Sequence, residues 1–151
     1  MEPMIEILKP EQWQEFKEIR MKALKTDPLS FGESYTREID NLTEETARAK
    51  LSAPDRKSYV ARVDGKIVAL AVYTLVIPEH VEHTADIHAV FVDPDFRGKG
   101  IGFKLMKQML DDLHDIPKIS RIVLSVGNEQ EAAKNMYKNS DSPNSDWEQK
   151  K

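Results

Sequence analysis

Apolar positions along this chain change period several times, and each change marks an element. Between Pro10 and Lys25, residues Trp13, Phe16, Ile19, Ala23 and Leu24 recur at helical spacing. Pro10 suits a first helical position, and Thr26-Asp27-Pro28 stops the pattern. Phe31 to Glu38 carries no period. Thr43 is a good N-cap, with Thr46 where a capping box prefers Glu, so a second helix is expected to about Leu51. Pro54 and Asp55 end it.

Strand patterns follow. Ser58 to Val63 is rich in β-branched and aromatic residues, and Asp64-Gly65 is a hairpin signal. Lys66 to Ile77 is nearly all apolar, as in a strand buried on both faces. Pro78 to His83 reads as a polar loop, Thr84 to Val92 as a strand ended by Asp93-Pro94. Ile101, Leu105, Met106, Met109, Leu110 and Leu113 then form one helical stripe of core residues. Pro117 separates that helix from a strand at Arg121 to Val126, and Glu129 to Asn139 reads as a last helix. The order predicted is helix, helix, hairpin, strand, helix, strand, helix. The strand–helix–strand part should be a parallel crossover, with the hairpin extending the same sheet. In such a sheet a ligand sits at the carboxyl ends of the parallel strands.

One such end carries Arg97-Gly98-Lys99-Gly100-Ile101-Gly102, between the strand and the helical stripe. Glycines let a backbone turn tightly and bring N–H groups to an anion. A helix start adds free donors and the positive end of its dipole. The segment therefore reads as a phosphate cradle; the plain alternative is a tight turn capping a helix. A Walker loop needs G-x-x-x-x-G-K-[ST], which is absent, and Gly98, Gly100 and Gly102 do not satisfy G-x-G-x-x-G. A nucleotide or dinucleotide domain thus fails on motif spacing.

Composition narrows the class. At 151 residues one domain is expected. A net charge of −4 argues against nucleic-acid binding and leans mildly toward a cationic substrate. There is no cysteine, hence no disulfide and no thiol nucleophile, and the histidines form no metal-site pattern, His80 and His83 falling in the polar loop. No apolar run reaches a membrane span, and Met1 to Met4 lack signal-peptide features, so a cytoplasmic protein without membrane contact is expected.

Arg97-x-x-Gly-x-Gly after Val-x-Val-Asp-Pro resembles the acetyl-coenzyme A loop of GNAT N-acetyltransferases. The resemblance runs from about Ile5 to Asn139. Arg20…Ala23-Leu24…Pro28…Phe31-Gly32 resembles a pattern of small bacterial members. Asn128, Ala132, Ala133, Met136 and Tyr137 loosely match a second motif. The resemblance implies a single-domain α/β fold over residues 1–139, a mixed sheet with helices on both faces, splayed to admit a pantetheine arm. It also implies acetyl-CoA as cofactor and direct acetyl transfer to a primary amine of a small molecule or protein. The pyrophosphate would sit on the backbone of Arg97, Gly98, Lys99, Gly100, Ile101 and Gly102. The arm would run along Val90, Phe91 and Val92, pairing at Val90 and Val92 by strand addition, with Asn128 nearby. The Val92 N–H would polarise the thioester carbonyl.

A lysine-like amine has a pKa near 10.4, so losing its proton at pH 7 asks for roughly 4–5 kcal/mol. Asp86 and His88 are candidate bases, and on a regular strand they share a face with Val90 and Val92. Glu79 and Glu82 are rivals, and a core histidine beside a strand-edge charge is the structural alternative. Tyr137 matches the family's general-acid tyrosine, which protonates the leaving thiolate; Tyr35 and Tyr73 are alternatives.

The family continues past this tyrosine with Gly-Phe and two more strands. Here residues 140–151 are polar, with no strand signal, so the C-terminal strands are missing or altered. Read one base earlier, codons for Asp141-Ser142-Pro143-Asn144 can spell Gly-Phe-Thr-Lys, which suggests a frameshifted end. An unpaired sheet edge leaves a homodimer open. The alternative to a working enzyme is a cofactor-binding module with little turnover. Amino acid, polyamine, antibiotic and peptide N-terminus all stay open as acceptors.

Overall fold

A computed structural model describes residues 2–26, 41–76, 83–117 and 119–124. A five-stranded sheet in the order β1-β2-β3-β4-β5 is its frame. Its strands are β1 (Met4–Ile7), β2 (Arg56–Val63), β3 (Lys66–Val76), β4 (His83–Val92) and β5 (Ile119–Leu124). The first four strands pair antiparallel and β4 pairs parallel with β5. The mixed sheet expected from the sequence is therefore present.

The first strand is a correction to the expected order. β1 is short and lies at the sheet edge, and its outer residues Met4 and Ile7 are exposed, so it lacks the alternation that announces a half-buried strand. Charge fixes it in place. Arg62 on β2 donates to Glu6 at 2.7 Å and to Glu15 at 2.6 and 2.8 Å, linking the edge strand to the first helix. Boundaries also shift: β2 starts at Arg56, and His83 opens β4 instead of lying in the loop.

Helices cover both faces. Pro10–Gln12 forms a 3-10 turn that leads into α1 (Trp13–Thr26), so the helix proper starts three residues later than the proline suggests. In α2 (Glu44–Ser52) the capping box is made with threonine. The Thr43 amide donates to Thr46 Oγ1 at 2.9 Å, and the Thr46 amide donates to Thr43 Oγ1 at 3.3 Å. Phe16, Ile19, Ala23, Ala47 and Leu51 of these helices pack on Val60, Leu70, Val72, Ala89 and Phe91. Across the sheet, α3 (Ile101–His114) buries Ile101, Leu105, Met106, Met109, Leu110 and Leu113 against Ala71, Tyr73, Ala85, Ile87 and Val90. Among the described residues no helix is long and apolar enough to cross a membrane.

Candidate functional site

β4 carries the feature that organises the site. Leu70 pairs with Phe91 and Val72 with His88, so Ala71 alone faces both Ala89 and Val90. This is a β-bulge, with Ala89 held at φ +57°. A bulge inserts one residue and resets which side the following residues face. Val90 therefore joins Ala85 and Ile87 under α3, with Val92 packed against the same cluster, whereas Ala89 and Phe91 pack under α1 and α2. Asp86 and His88 do not share a face with Val90 and Val92, as a regular strand would have required. Among the described residues, β4 pairs with β5 from His83–Ile119 to Ile87–Leu124.

Beyond Val92 the chain is held at several points. Asp93 is 1% exposed, its Oδ1 accepts from the Asp95 amide at 3.0 Å, and its Oδ2 pairs with Lys22 on α1. Burial would raise this carboxyl, but the Lys22 ammonium and the Asp95 amide outweigh it and hold it below the usual carboxylate range. Pro94–Phe96 makes one 3-10 turn. Arg97 then turns back and its Nε donates to the Val92 carbonyl at 2.9 Å. That carbonyl is engaged within the chain.

The glycine loop follows. Gly98 and Gly100 both stand at φ +79°, the left-handed region, with nothing within 4 Å of where a Cβ would be. Gly100 is the N-cap of α3 and supplies no side-chain cap. The first intrahelical bond runs from the Lys104 amide to the Gly100 carbonyl at 3.1 Å. Amides before Lys104 thus have no acceptor one turn back within the helix. They lie at the positive end of a 14-residue helix. Lys99 lies over the Phe96 ring at 5.7 Å, and Ile101 and Gly102 are buried, anchoring the helix start.

A second group of polar residues lies at the other end of the sheet, under α1 and α2. Arg56, Thr74 and Asp86 pair in one row across β2, β3 and β4, and Ser58, Val72 and His88 in the next. Thr74 Oγ1 and His88 Nε2 are 2.9 Å apart, a diagonal hydrogen bond between the rows. Burial pushes the His88 imidazole down to about 4, helped by the positive charges of Arg56, Arg20 and Lys50 and opposed by Asp86. His88 is neutral at pH 7. Arg56, Ser58, Thr74 and Lys50 were not singled out from sequence, and Arg20 entered only through a family pattern; the five are scattered over two strands and two helices.

Tyr73 lies on the opposite face. It is 5% exposed, its ring 5.9 Å from that of Tyr59, whose hydroxyl donates to Asp112 at 2.6 Å. Burial and the Asp112 charge raise the Tyr73 hydroxyl above its ordinary value. It is a core residue. Tyr35, Glu79, Glu82, Asn128, Tyr137 and the tail after residue 139 lie outside the described residues.

A mixed sheet, a bulged central strand and a glycine loop leading from its carboxyl end into a helix define an α/β domain of one recognisable class. The chain belongs to the GNAT acetyltransferase family, whose sequence profile, the Acetyltransferase (GNAT) family, matches residues 13–140. An uncharacterised N-acetyltransferase of Methanocaldococcus jannaschii is 37% identical over 83 residues, 53% of this chain and 36% of that protein. A "probable spermine N(1)-acetyltransferase" of Bacillus subtilis subsp. natto is 33% identical over 67 residues, 42% of this chain and 43% of that one. The matched stretches span well under half the length of either relative. In fold, the chain is similar to a predicted acetyltransferase from Clostridium acetobutylicum crystallised with acetyl-CoA. That match has a TM-score of 0.70 and 15% identity, and covers 91% of this chain and 88% of the other.

The family uses acetyl-CoA. The loop fits such a group: two left-handed glycines stand at a helix start, with nothing within 4 Å of where a Cβ would be.

Proposed function

We propose that this protein is an N-acetyltransferase that takes acetyl-CoA and acetylates a primary amine of a small molecule or protein. The observation that carries this is the cradle of Gly98 and Gly100 at the start of α3, one short turn beyond a bulged strand. Acetyl-CoA, when bound, supplies an activated acyl group as a thioester. The amides from Gly98 to Gly102 would hold its diphosphate, and Arg97 keeps the loop folded against β4 through the Val92 carbonyl. The Val92 amide would donate to the thioester carbonyl and polarise it.

His88 and Asp86 stand on the amino-terminal side of the bulge, where an acceptor approaches. With its pKa near 4, His88 is a weak proton acceptor but a steady hydrogen-bond partner, positioned by Thr74. Asp86, one strand pleat away on the same face, is the better placed base, directly or through a water. Tyr137 is the proposed acid for the leaving thiolate, with Asn128 beside the cofactor, both on the strength of the family motif.

Isothermal titration of the protein with acetyl-CoA, followed by thiol release with an amine library, tests this. Micromolar binding with amine-dependent release of free thiol supports it. Binding without release for any amine would reduce the protein to a cofactor-binding module, and absent binding in folded protein would overturn the reading.

A further inference from the structure

A cradle made of backbone needs something else to hold that backbone in place. We propose that Asp93 and Lys22 form a clasp that positions the glycine loop for acetyl-CoA, with neither residue touching the ligand. The inference rests on the acetyl-transfer reading and adds two positioning residues to its cofactor site.

Asp93 is attached on every side at the point where β4 gives way to the loop. Its amide donates to the Val68 carbonyl on β3 at 2.8 Å. Its carbonyl accepts from the Phe96 amide at 2.8 Å, which closes the 3-10 turn. Its Oδ1 accepts from the Asp95 amide at 3.0 Å. Its Oδ2 pairs with the ammonium of Lys22, 71 residues earlier in the chain on α1. One buried residue thus joins the sheet, the first helix and the turn that aims the loop. Beyond it, the Arg97 amide donates to the Pro94 carbonyl at 3.4 Å, and the Arg97 guanidinium reaches back to Val92. Residues 92–97 therefore close on themselves, and how Asp93 sits sets how the chain leaves for Gly98.

The chemistry gives the clasp its need for a cation. Asp93 is ionised at neutral pH and shut away from water. A buried carboxylate is costly unless it is both paired and hydrogen-bonded. Lys66 at the start of β3 supports it by charge, and Lys22 by charge and a hydrogen bond. With Lys22 gone, the turn gains by swinging its carboxylate toward solvent, and the loop moves with it. Asp93 and Asp95 also place two carboxylates just ahead of a loop read as a diphosphate cradle. Lys22 offsets the one that is buried.

Calorimetry with acetyl-CoA tests the clasp. Lys22→Met should weaken binding about tenfold, as expected where only about a tenth of the molecules keep the loop in its competent shape. Lys22→Arg restores a cation and should bind within about threefold of the unaltered protein. The deciding variant joins Lys22→Met with Asp93→Asn. It keeps an Oδ1 acceptor for the Asp95 amide and removes the buried charge, so it should recover most of the affinity lost in Lys22→Met. A lysine that touched the cofactor directly would give no such recovery. Arg48→Gln, which breaks an exposed pair with Glu44 on α2, should leave affinity unchanged. Hydrogen exchange on the ligand-free proteins gives a second readout. The amides of Asp93, Asp95 and Phe96 should exchange faster in Lys22→Met and return to the original rate in Lys22→Arg.

Unchanged affinity in Lys22→Met overturns the proposal, and so does a double variant that recovers nothing. A lower denaturant midpoint with unchanged affinity overturns it too, because the pair would then serve stability alone. If the double variant fails to fold by circular dichroism, Lys22→Met against Lys22→Arg decides, since the Lys22 side chain is 40% exposed and its replacement leaves the core intact. Failure of the unaltered protein to bind acetyl-CoA would overturn the proposed function instead. The exchange rates alone would then decide whether the clasp holds the turn.

Discussion

The two ends of β4 do their work with different parts of the chain. At its carboxyl end, the loop of Gly98 and Gly100 offers backbone amides and no functional side chain; its geometry is set by two φ angles of +79°. At the other end, Asp86 and His88 offer side chains whose neighbours come from β2, β3, α1 and α2. A site made of backbone depends on residues that are adjacent in sequence. A site made of side chains depends on register across strands far apart in sequence. The first should be sensitive to backbone strain and indifferent to most side-chain truncations, and the second the reverse.

Gly100→Val probes the first half of that contrast and should have the largest effect. A β-branched residue is a true outlier in the left-handed region, and forcing it there costs roughly 1–2 kcal/mol before any lost contact. The loop would relax, turning its amides away from the anion. Acetyl-CoA affinity should fall by about 10²–10³-fold, or roughly 2.7–4.1 kcal/mol. Lys99→Ala in the same loop should change it by less than about threefold, since an exposed charge contributes little. Titration calorimetry on the two variants checks this. Comparable losses would mean the cradle works by side-chain charge.

His88→Gln probes the other half. The folded protein holds His88 near 4, below its ordinary value of 6.5. Above pH 6.5 both folded and unfolded forms are neutral at this residue and nothing is lost. As pH falls from 6.5 toward 4, the unfolded chain takes up a proton that the folded chain refuses. Stability therefore falls across that window, by an amount on the order of 3 kcal/mol at its acid end. Denaturant midpoints at pH 7 and pH 4.5 should converge in His88→Gln and diverge in the unaltered protein. Equal pH dependence in both would mean that His88 is not held below its ordinary value.

The same contrast explains what was legible beforehand. The glycine loop, its flanking strand and the α3 stripe could be read because each is a local pattern. So could the hairpin: Val63 pairs with Lys66 across Asp64-Gly65. Counting outward from that turn would have matched Arg56 with Tyr73, however, and a register shift between Ala61 and Arg62 moves it to Thr74. A second irregularity, at Ala89, separates Asp86 and His88 from Val90 and Val92. Neither bulge has a glycine or proline to announce it. The polar rows were hidden by two single-residue insertions. β1 was hidden by its brevity and by Met4 and Ile7 facing solvent.

Ala89 is where the two ends meet, and it gives the smallest but sharpest test. At φ +57° an alanine bears roughly 1–2 kcal/mol of strain that glycine does not. Glycine in turn loses more entropy on folding, by roughly 0.5–1 kcal/mol. Ala89→Gly should therefore stabilise the protein by about 0.5–1 kcal/mol net, raising the thermal midpoint by roughly 1–4 °C for a chain of this size. The bulge persists, because it comes from one extra residue opposite Ala71 and not from the alanine side chain. Acetyl-CoA affinity should be unchanged. A drop in affinity alongside the gain in stability would show that a strained, immobile Ala89 helps hold the strand edge open for the arm. The carboxyl-end site would then extend into β4 and depend on a side chain after all.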